Sequence, residues 1–135
     1  MDLLSRDAIL SKKHLKTQVV FVEDWQGHVN VRELTADERD EVESWLSAPE
    51  GTSIEERRES LKNLRGRVAA RGLADETGLR MFSDEDSERL GSLSAAALDT
   101  IFDTVLNLSG MTKAERERLR KNSRPQTGEG GSTTA

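Results

Sequence analysis

Leu93-Ser94-Ala95-Ala96-Ala97-Leu98-Asp99-Thr100-Ile101-Phe102-Asp103-Thr104-Val105-Leu106-Asn107-Leu108-Ser109-Gly110 holds a helix start, an apolar stripe and a helix stop in one run. Ser94 is an N-cap whose hydroxyl accepts a free backbone N–H, and Leu93 before it is placed to staple onto Leu98. Leu98, Ile101, Phe102, Val105 and Leu106 recur at helical spacing on one face, and Gly110 suits the left-handed residue that ends a helix. Such a helix must be packed against something.

Upstream, Gln18–Val22 and His28–Arg32 are runs rich in β-branched residues on either side of the connector Glu23-Asp24-Trp25-Gln26-Gly27. They read as a hairpin. In the second run Val29 and Val31 alternate with His28, Asn30 and Arg32, which gives one buried and one wet face. Val19–Val22 is apolar on both faces, so the first strand is expected to be the more covered. Ser5 caps a short helix through Leu10 that is too short to stand alone.

Thr35 and Glu38 form a capping box that opens a helix with Val42, Trp45 and Leu46 as its stripe, stopped at Ala48-Pro49-Glu50-Gly51. Ser53 and Glu56 repeat the box. They open one helix to about Arg71, with Leu61, Leu64 and Val68 inward and Gly66 weakening its middle by about 1 kcal/mol relative to alanine. Asp75-Glu76-Thr77-Gly78 reads as a tight turn between two short strands at Leu73-Ala74 and Leu79–Phe82, with a continued helix as the alternative. Ser83 caps a short helix ending near Gly91, and Thr112 opens a last one to about Lys121 with Ala114 and Leu119 inward. The expected class is α+β: a small, hairpin-based antiparallel sheet packed with several α-helices.

At 135 residues the chain is about one domain long, since single domains most often run roughly 100–150 residues. We expect one domain over residues 1–122 and a disordered tail over 123–135, where nothing is available to bury. With 25 acidic and 20 basic residues the net charge of −5 gives no footprint for wrapping nucleic acid or clinging to an anionic membrane. No cysteine is present, which excludes disulfides and thiolate chemistry and fits a reducing compartment. No apolar run approaches the ~20 residues of a membrane span, and the opening residues lack the build of a secretion signal, so a cytosolic location is expected.

Chemistry-bearing motifs are missing. His14 and His28 are the only imidazoles, and neither a zinc-binding His-Glu-x-x-His, a nucleophile elbow nor a phosphate-cradling loop occurs. The acidic runs Asp37–Glu41 and Asp84–Asp86 diverge around helix axes and read as solvated faces beside the positive pole of a helix dipole. No catalytic residue, cofactor or metal is expected. Trp45 shares a core stripe, whereas Trp25 at a hairpin tip either folds back over the sheet or anchors a partner. The basic run Lys113, Arg116, Arg118, Arg120, Lys121 and Arg124 reads as a soluble helix end, or as a docking surface for an acidic partner.

Taken in order, several segments carry a resemblance. They are Ser5–Leu10 leading to Val19–Val22, Trp25-Gln26-Gly27, Val29–Arg39, Asp75–Gly78 before Met81–Asp86, Leu90–Leu98 and Leu106–Gly110. Together they resemble the tail assembly chaperones of long-tailed bacteriophages, siphophage proteins analogous in role to the lambda tail chaperone pair. Ser53–Arg71 is the least family-like stretch.

The resemblance implies a non-enzymatic protein of the host bacterial cytoplasm, absent from the mature virion. Such a protein keeps the tape measure protein soluble and promotes tail tube polymerisation around it. It also implies contact with the tail tube protein through a possible longer form made by ribosomal frameshifting, for which the Gly/Ser/Thr-rich tail would serve as linker. Self-association is a further expectation. No family motif marks the binding residues; the candidate contacts are Trp25, Phe82, Arg116 and Arg120.

Two other readings compete. One is a small acidic DNA-binding regulator, in which the capped helices near residues 83–121 imitate a helix-turn-helix; salt-dependent DNA affinity would reveal it. The other is a structural tail-completion protein, which mass spectrometry of purified particles would find.

Overall fold

The computed structural model describes residues 1–122; the expected tail at 123–135 lies outside the described residues, as do the side chains of Leu119, Arg120 and Asn122. Helix α1 (Arg6–Leu10) is followed by strand β1 (Thr17–Val22), a 3-10 turn at Glu23–Trp25, strand β2 (Gly27–Arg32) and helix α2 (Ala36–Leu46). Then come α3 (Ile54–Leu61), α4 (Leu64–Gly72), the short strand β3 (Leu73–Ala74), α5 (Ser87–Gly91), α6 (Ala95–Leu108) and α7 (Lys113–Asn122). The α+β class is as expected: a three-stranded sheet in the order β1-β2-β3, covered by helices.

The 93–110 run behaves as its sequence dictates. Ser94 Oγ accepts the Ala97 N–H at 3.3 Å, and Ala97, Leu98, Ile101, Val105 and Leu106 are buried, so α6 forms the middle of the core. Each of the buried leucine, isoleucine and valine side chains is worth about 1.5–3 kcal/mol relative to exposure, which offsets the ordering entropy that a lone helix could not. Gly110 takes φ +81°, and the Met111 N–H closes onto the Leu106 carbonyl at 2.8 Å. Helix α2 then fastens that end: Arg39 Nη1 donates to Ser109 O at 2.8 Å, and the buried Ser109 hydroxyl accepts the Leu34 N–H at 2.8 Å. Leu93, expected to staple onto Leu98, is 45 % exposed.

The hairpin register pairs Thr17 with Arg32 and Val22 with Gly27. On the other side of β2, Val31 pairs with Leu73 and Asn30 with Ala74. This order corrects the expectation about coverage. Because β3 takes the far side of β2, the apolar first strand is an edge strand, with Val19 64 % and Phe21 45 % exposed. Arg32, expected on the wet face, is only 4 % exposed: its Nη2 bonds both oxygens of Glu38 at 2.9 and 2.7 Å. Glu38 also accepts the Thr35 N–H in the expected capping box, so one carboxylate ties β2 to the start of α2.

The helix expected over Ser53–Arg71 is in fact two helices. Asn63 breaks it with φ +53°, a left-handed conformation that asparagine tolerates better than most residues. What holds the break is tertiary: Asn63 Nδ2 donates to the Ser87 carbonyl at 2.9 Å. Gly66 and Gly91 flank that amide, and a Cβ on either would overlap Asn63 Oδ1. Gly66 is therefore a site of close approach between α4 and α5. The second of the two short strands reduces to a single bridge between Ala74 and Arg80, closed by the tight turn at Asp75–Gly78. In α7, Ala114 is exposed, and half-buried Arg116 faces the body instead.

Candidate functional site

Beside the sheet lies an apolar groove of ≈ 810 Å³ that brings together two of the residues singled out from sequence, Trp25 and Phe82. Its volume lies within the roughly 300–1,000 Å³ of pockets that hold small ligands. Buried Leu73, Ala74 and Leu90 and half-buried Val29 contribute to its lining. Val19 of the edge strand, Met81 and Leu93 also border it and are largely exposed. Leu93, expected as a staple, lines the groove because α6 begins beside it.

Trp25 is held in place by its connector. Gln26 adopts the left-handed conformation with φ 49°, and its Nε2 donates to the Glu23 carbonyl at 2.8 Å. Asp24 accepts the Ser94 hydroxyl at 3.0 Å, so the hairpin tip is fastened to the start of α6, where a carboxylate also suits the positive pole of the helix dipole. The indole is 37 % exposed at the groove wall. Trp25 thus lines the groove wall with its side chain still exposed.

Phe82 is positioned by the turn before it. Asp75 Oδ1 accepts the Thr77 N–H at 2.8 Å, the Thr77 hydroxyl at 2.6 Å and the Leu79 N–H at 3.1 Å. These bonds, the Thr77 hydroxyl foremost, hold the Asp75 carboxyl below its ordinary pKa, so it stands as an anion and a turn-forming acceptor. The Asp75 carbonyl in turn accepts from Asn30 Nδ2 at 2.9 Å, fixing the turn to β2. Phe82 follows, half-buried against the core.

The polar groups here are already engaged or stand at the rim. His28 stacks edge-on to Phe21 at 5.1 Å between centroids, Asn30 and Asp75 hold the turn, and Glu76 also lines the groove. No cluster of three or more His, Cys, Asp or Glu that could hold a metal occurs among the described residues. A groove lined mainly by apolar side chains is equipped to cover aliphatic side chains of another polypeptide.

Arg116 lies apart from this groove. Its Nη1 pairs with Asp103 at 2.9 Å, and its guanidinium lies 5.8 Å from the Phe102 ring centroid, fastening α7 to α6. It borders a different hollow, with Leu64, Phe102 and Asp103. The Arg120 side chain lies outside the described residues. A second charged assembly was not legible in the sequence: Arg71 reaches Glu41 and Asp84, each at 3.3 Å, while Arg80 bonds Asp84 at 2.7 Å and the Ala70 carbonyl at 3.0 Å. Trp45 lies beneath this assembly, 4.1 Å from Arg67 and 4.9 Å from Arg71, half-buried against the core as its stripe predicted.

Comparison with known proteins adds two likenesses. The sequence model of the family described as phage tail assembly chaperone matches residues 5–121. Among solved structures, the bacteriophage HK97 tail assembly chaperone shares the fold with a TM-score of 0.54 and 16 % identity, covering 70 % of this chain and 85 % of that one. No curated protein matches the sequence.

Proposed function

The chain belongs to the phage tail assembly chaperone family, and from that premise we propose that it holds the tape measure protein in solution by covering apolar helix faces with the groove that Trp25 and Phe82 share. A chaperone of this kind forms no bond and needs no acid, base or nucleophile. It needs apolar area, presented without collapse, and a rim that keeps the assembly dissolved. The observation that carries the reading is the groove itself, apolar along its floor and continuous with the exposed edge strand β1.

Helical segments with apolar stripes dock in such grooves through side chains at i, i+3, i+4 and i+7, and aromatic anchors supply much of the affinity. Trp25 and Phe82 are the proposed anchors. On this reading the protein acts in the host cytoplasm while tube subunits polymerise around the tape measure, and it is left out of the finished particle. Tube subunits reach it through a longer, frameshifted form. Among the described residues no helix is long and apolar enough to cross a membrane.

Co-expression with the tape measure protein tests the proposal. The chain is expected to co-purify with it, and Trp25→Ala with Phe82→Ala to lower the affinity by about 30-fold or more, the scale of a hot-spot loss of ~2 kcal/mol. Failure of the parent chain to co-purify would remove the tape measure as client. Undiminished capture by the double variant would remove the groove as its seat. Mass spectrometry of purified particles should find no copies.

A further inference from the structure

A second hollow, of ≈ 430 Å³, lies where α3, α4, α6 and α7 come together, and it shares no lining residue with the groove of Trp25 and Phe82. Half-buried Leu46, Leu61, Leu64 and Phe102 give it an apolar surface. Its charge runs against that of the chain, which is −5 overall, because four cations line the hollow against three carboxylates. Two of the four are engaged. Arg65 pairs with Asp99 and Arg116 with Asp103, and the two guanidiniums lie 5.9 and 5.8 Å from the Phe102 ring centroid. Arg57 and Lys113, on α3 and α7, have no ion pair among the described residues. We propose that this hollow is a second docking seat, for a short acidic segment of another polypeptide: an aliphatic side chain packs against Leu61, Leu64 and Phe102, and flanking carboxylates meet Arg57 and Lys113.

The two open cations are held in place by their helices. Ser60 Oγ donates to the Trp45 carbonyl at 2.8 Å, which ties α3 to the end of α2, and Arg57 itself reaches only that carbonyl, at 3.5 Å. Its planar fork therefore keeps the donors that a carboxylate binds two at a time. Lys113 is the first residue of α7, whose Thr112 cap takes the Glu115 N–H at 3.2 Å. A carboxylate beside Lys113 meets the ammonium and the positive pole of the helix dipole together. Arg116 Nε is buried without a hydrogen-bond partner, so the hollow's wall has a further donor that the described residues do not satisfy.

The mixture of apolar surface and open cations selects the ligand. A nucleic acid backbone has nothing to place against leucine and phenylalanine, and it would meet Asp99, Asp103 and Glu117 in the same hollow. An acidic peptide uses both parts: apolar contact supplies affinity, and the border charges supply orientation and choice of partner. The volume lies near the lower end of the roughly 300–1,000 Å³ of ligand pockets, which fits one or two side chains of a short segment. The inference stands whether or not the tape measure occupies the groove, since neither Trp25 nor Phe82 takes part.

Fluorescence anisotropy of the full chain with three labelled helical peptides tests it. All carry leucines at i, i+3, i+4 and i+7, and their polar positions are glutamate, glutamine or lysine. The glutamate peptide is expected to bind most tightly and to weaken as sodium chloride is added. Arg57→Glu with Lys113→Glu should lower its affinity by about ten-fold or more and raise that of the lysine peptide. Neither side chain is ion-paired among the described residues, so this variant should keep the parent's cooperative melting, and an exchange of preference is a result that damage to the fold cannot produce. Trp25→Ala with Phe82→Ala weakens all three peptides alike if the groove also binds them, and leaves the preference for glutamate unchanged. Equal binding of the three peptides, no exchange of preference in the charge-reversed variant, or a preference that vanishes with Trp25 and Phe82 would overturn the proposal. So would a single-stranded oligonucleotide that displaces the glutamate peptide through Arg57 and Lys113, because phosphate would then be the ligand.

Discussion

Inside a helix, glycine is about 1 kcal/mol worse than alanine, so propensity alone predicts that Gly66→Ala stabilises α4. Packing opposes it. A methyl group there would overlap Asn63 Oδ1 and stand 2.5 Å from the Ser87 carbonyl, a backbone atom that can move only with α5. Overpacking of that kind costs about 1–3 kcal/mol. With both terms counted, Gly66→Ala is expected to lower stability by up to about 2 kcal/mol, read as a lower urea midpoint at unchanged slope.

Asp75 supplies a prediction of a different sort. Hydrogen bonds from the Thr77 hydroxyl and the Leu79 N–H depress its pKa; Arg80 does the same for Asp84, and the Ser83 N–H for Asp86. A carboxyl whose folded pKa lies below its unfolded value contributes stability that is fully present above the unfolded pKa, about 3.9, and lost as pH falls through the folded one. The melting temperature should therefore be level from these groups at pH 5–7 and decline below about pH 4. Asp75→Ala should lower it at pH 7 and make the acid decline shallower.

Among the elements, the join between β2 and α2 is the most exposed to a single change. Glu38 is both the partner of buried Arg32 and half of a capping box, and Arg32 Nε is already buried without a hydrogen-bond partner. Glu38→Ala leaves that guanidinium uncompensated, which costs about 3–5 kcal/mol. Arg32→Met combined with Glu38→Gln removes the charge on both sides and should recover much of the loss in a chemical-denaturation series.

Edge strand β1 behaves oppositely. Val19→Lys changes an exposed position and should leave stability within about 0.5 kcal/mol while reducing edge-to-edge aggregation, as measured by light scattering on concentration.

These two strands also mark where the sequence was legible. The hairpin, the boxes at Thr35 and Ser53 and the 93–110 helix are written in local spacing, and they formed as read. Which strand takes the edge depends instead on Leu73 and Ala74 pairing with β2 from far along the chain, a contact with no local signature. The break at Asn63 escaped for the same reason, since a hydrogen bond to Ser87 stabilises it. Of the candidate site, Trp25 stood out as a large apolar residue in the hairpin connector and Phe82 was named at the end of a short strand; Leu93, Met81 and Val19 did not stand out as contacts, because their shared groove exists only once the sheet and α6 meet.

In the whole molecule, the groove and the basic helix are separate structures that share no lining residue. Arg116 has a structural occupation: its side chain is only 16 % exposed, ion-paired to Asp103 and laid over Phe102. Arg116→Ala removes a cation–π contact and a partly screened ion pair, together worth about 1–2 kcal/mol. The loss falls on the docking of α7, which should exchange its amide hydrogens faster while α6 stays protected. If the groove is the seat of the client, tape measure capture is indifferent to this loosening. Trp25→Ala with Phe82→Ala should have the converse profile, with α7 exchange unchanged and capture reduced. Hydrogen exchange and co-purification measured on the same two proteins therefore separate stability from binding; parallel loss of capture in both would instead assign client contact to the α7 side and remove the groove from its central place.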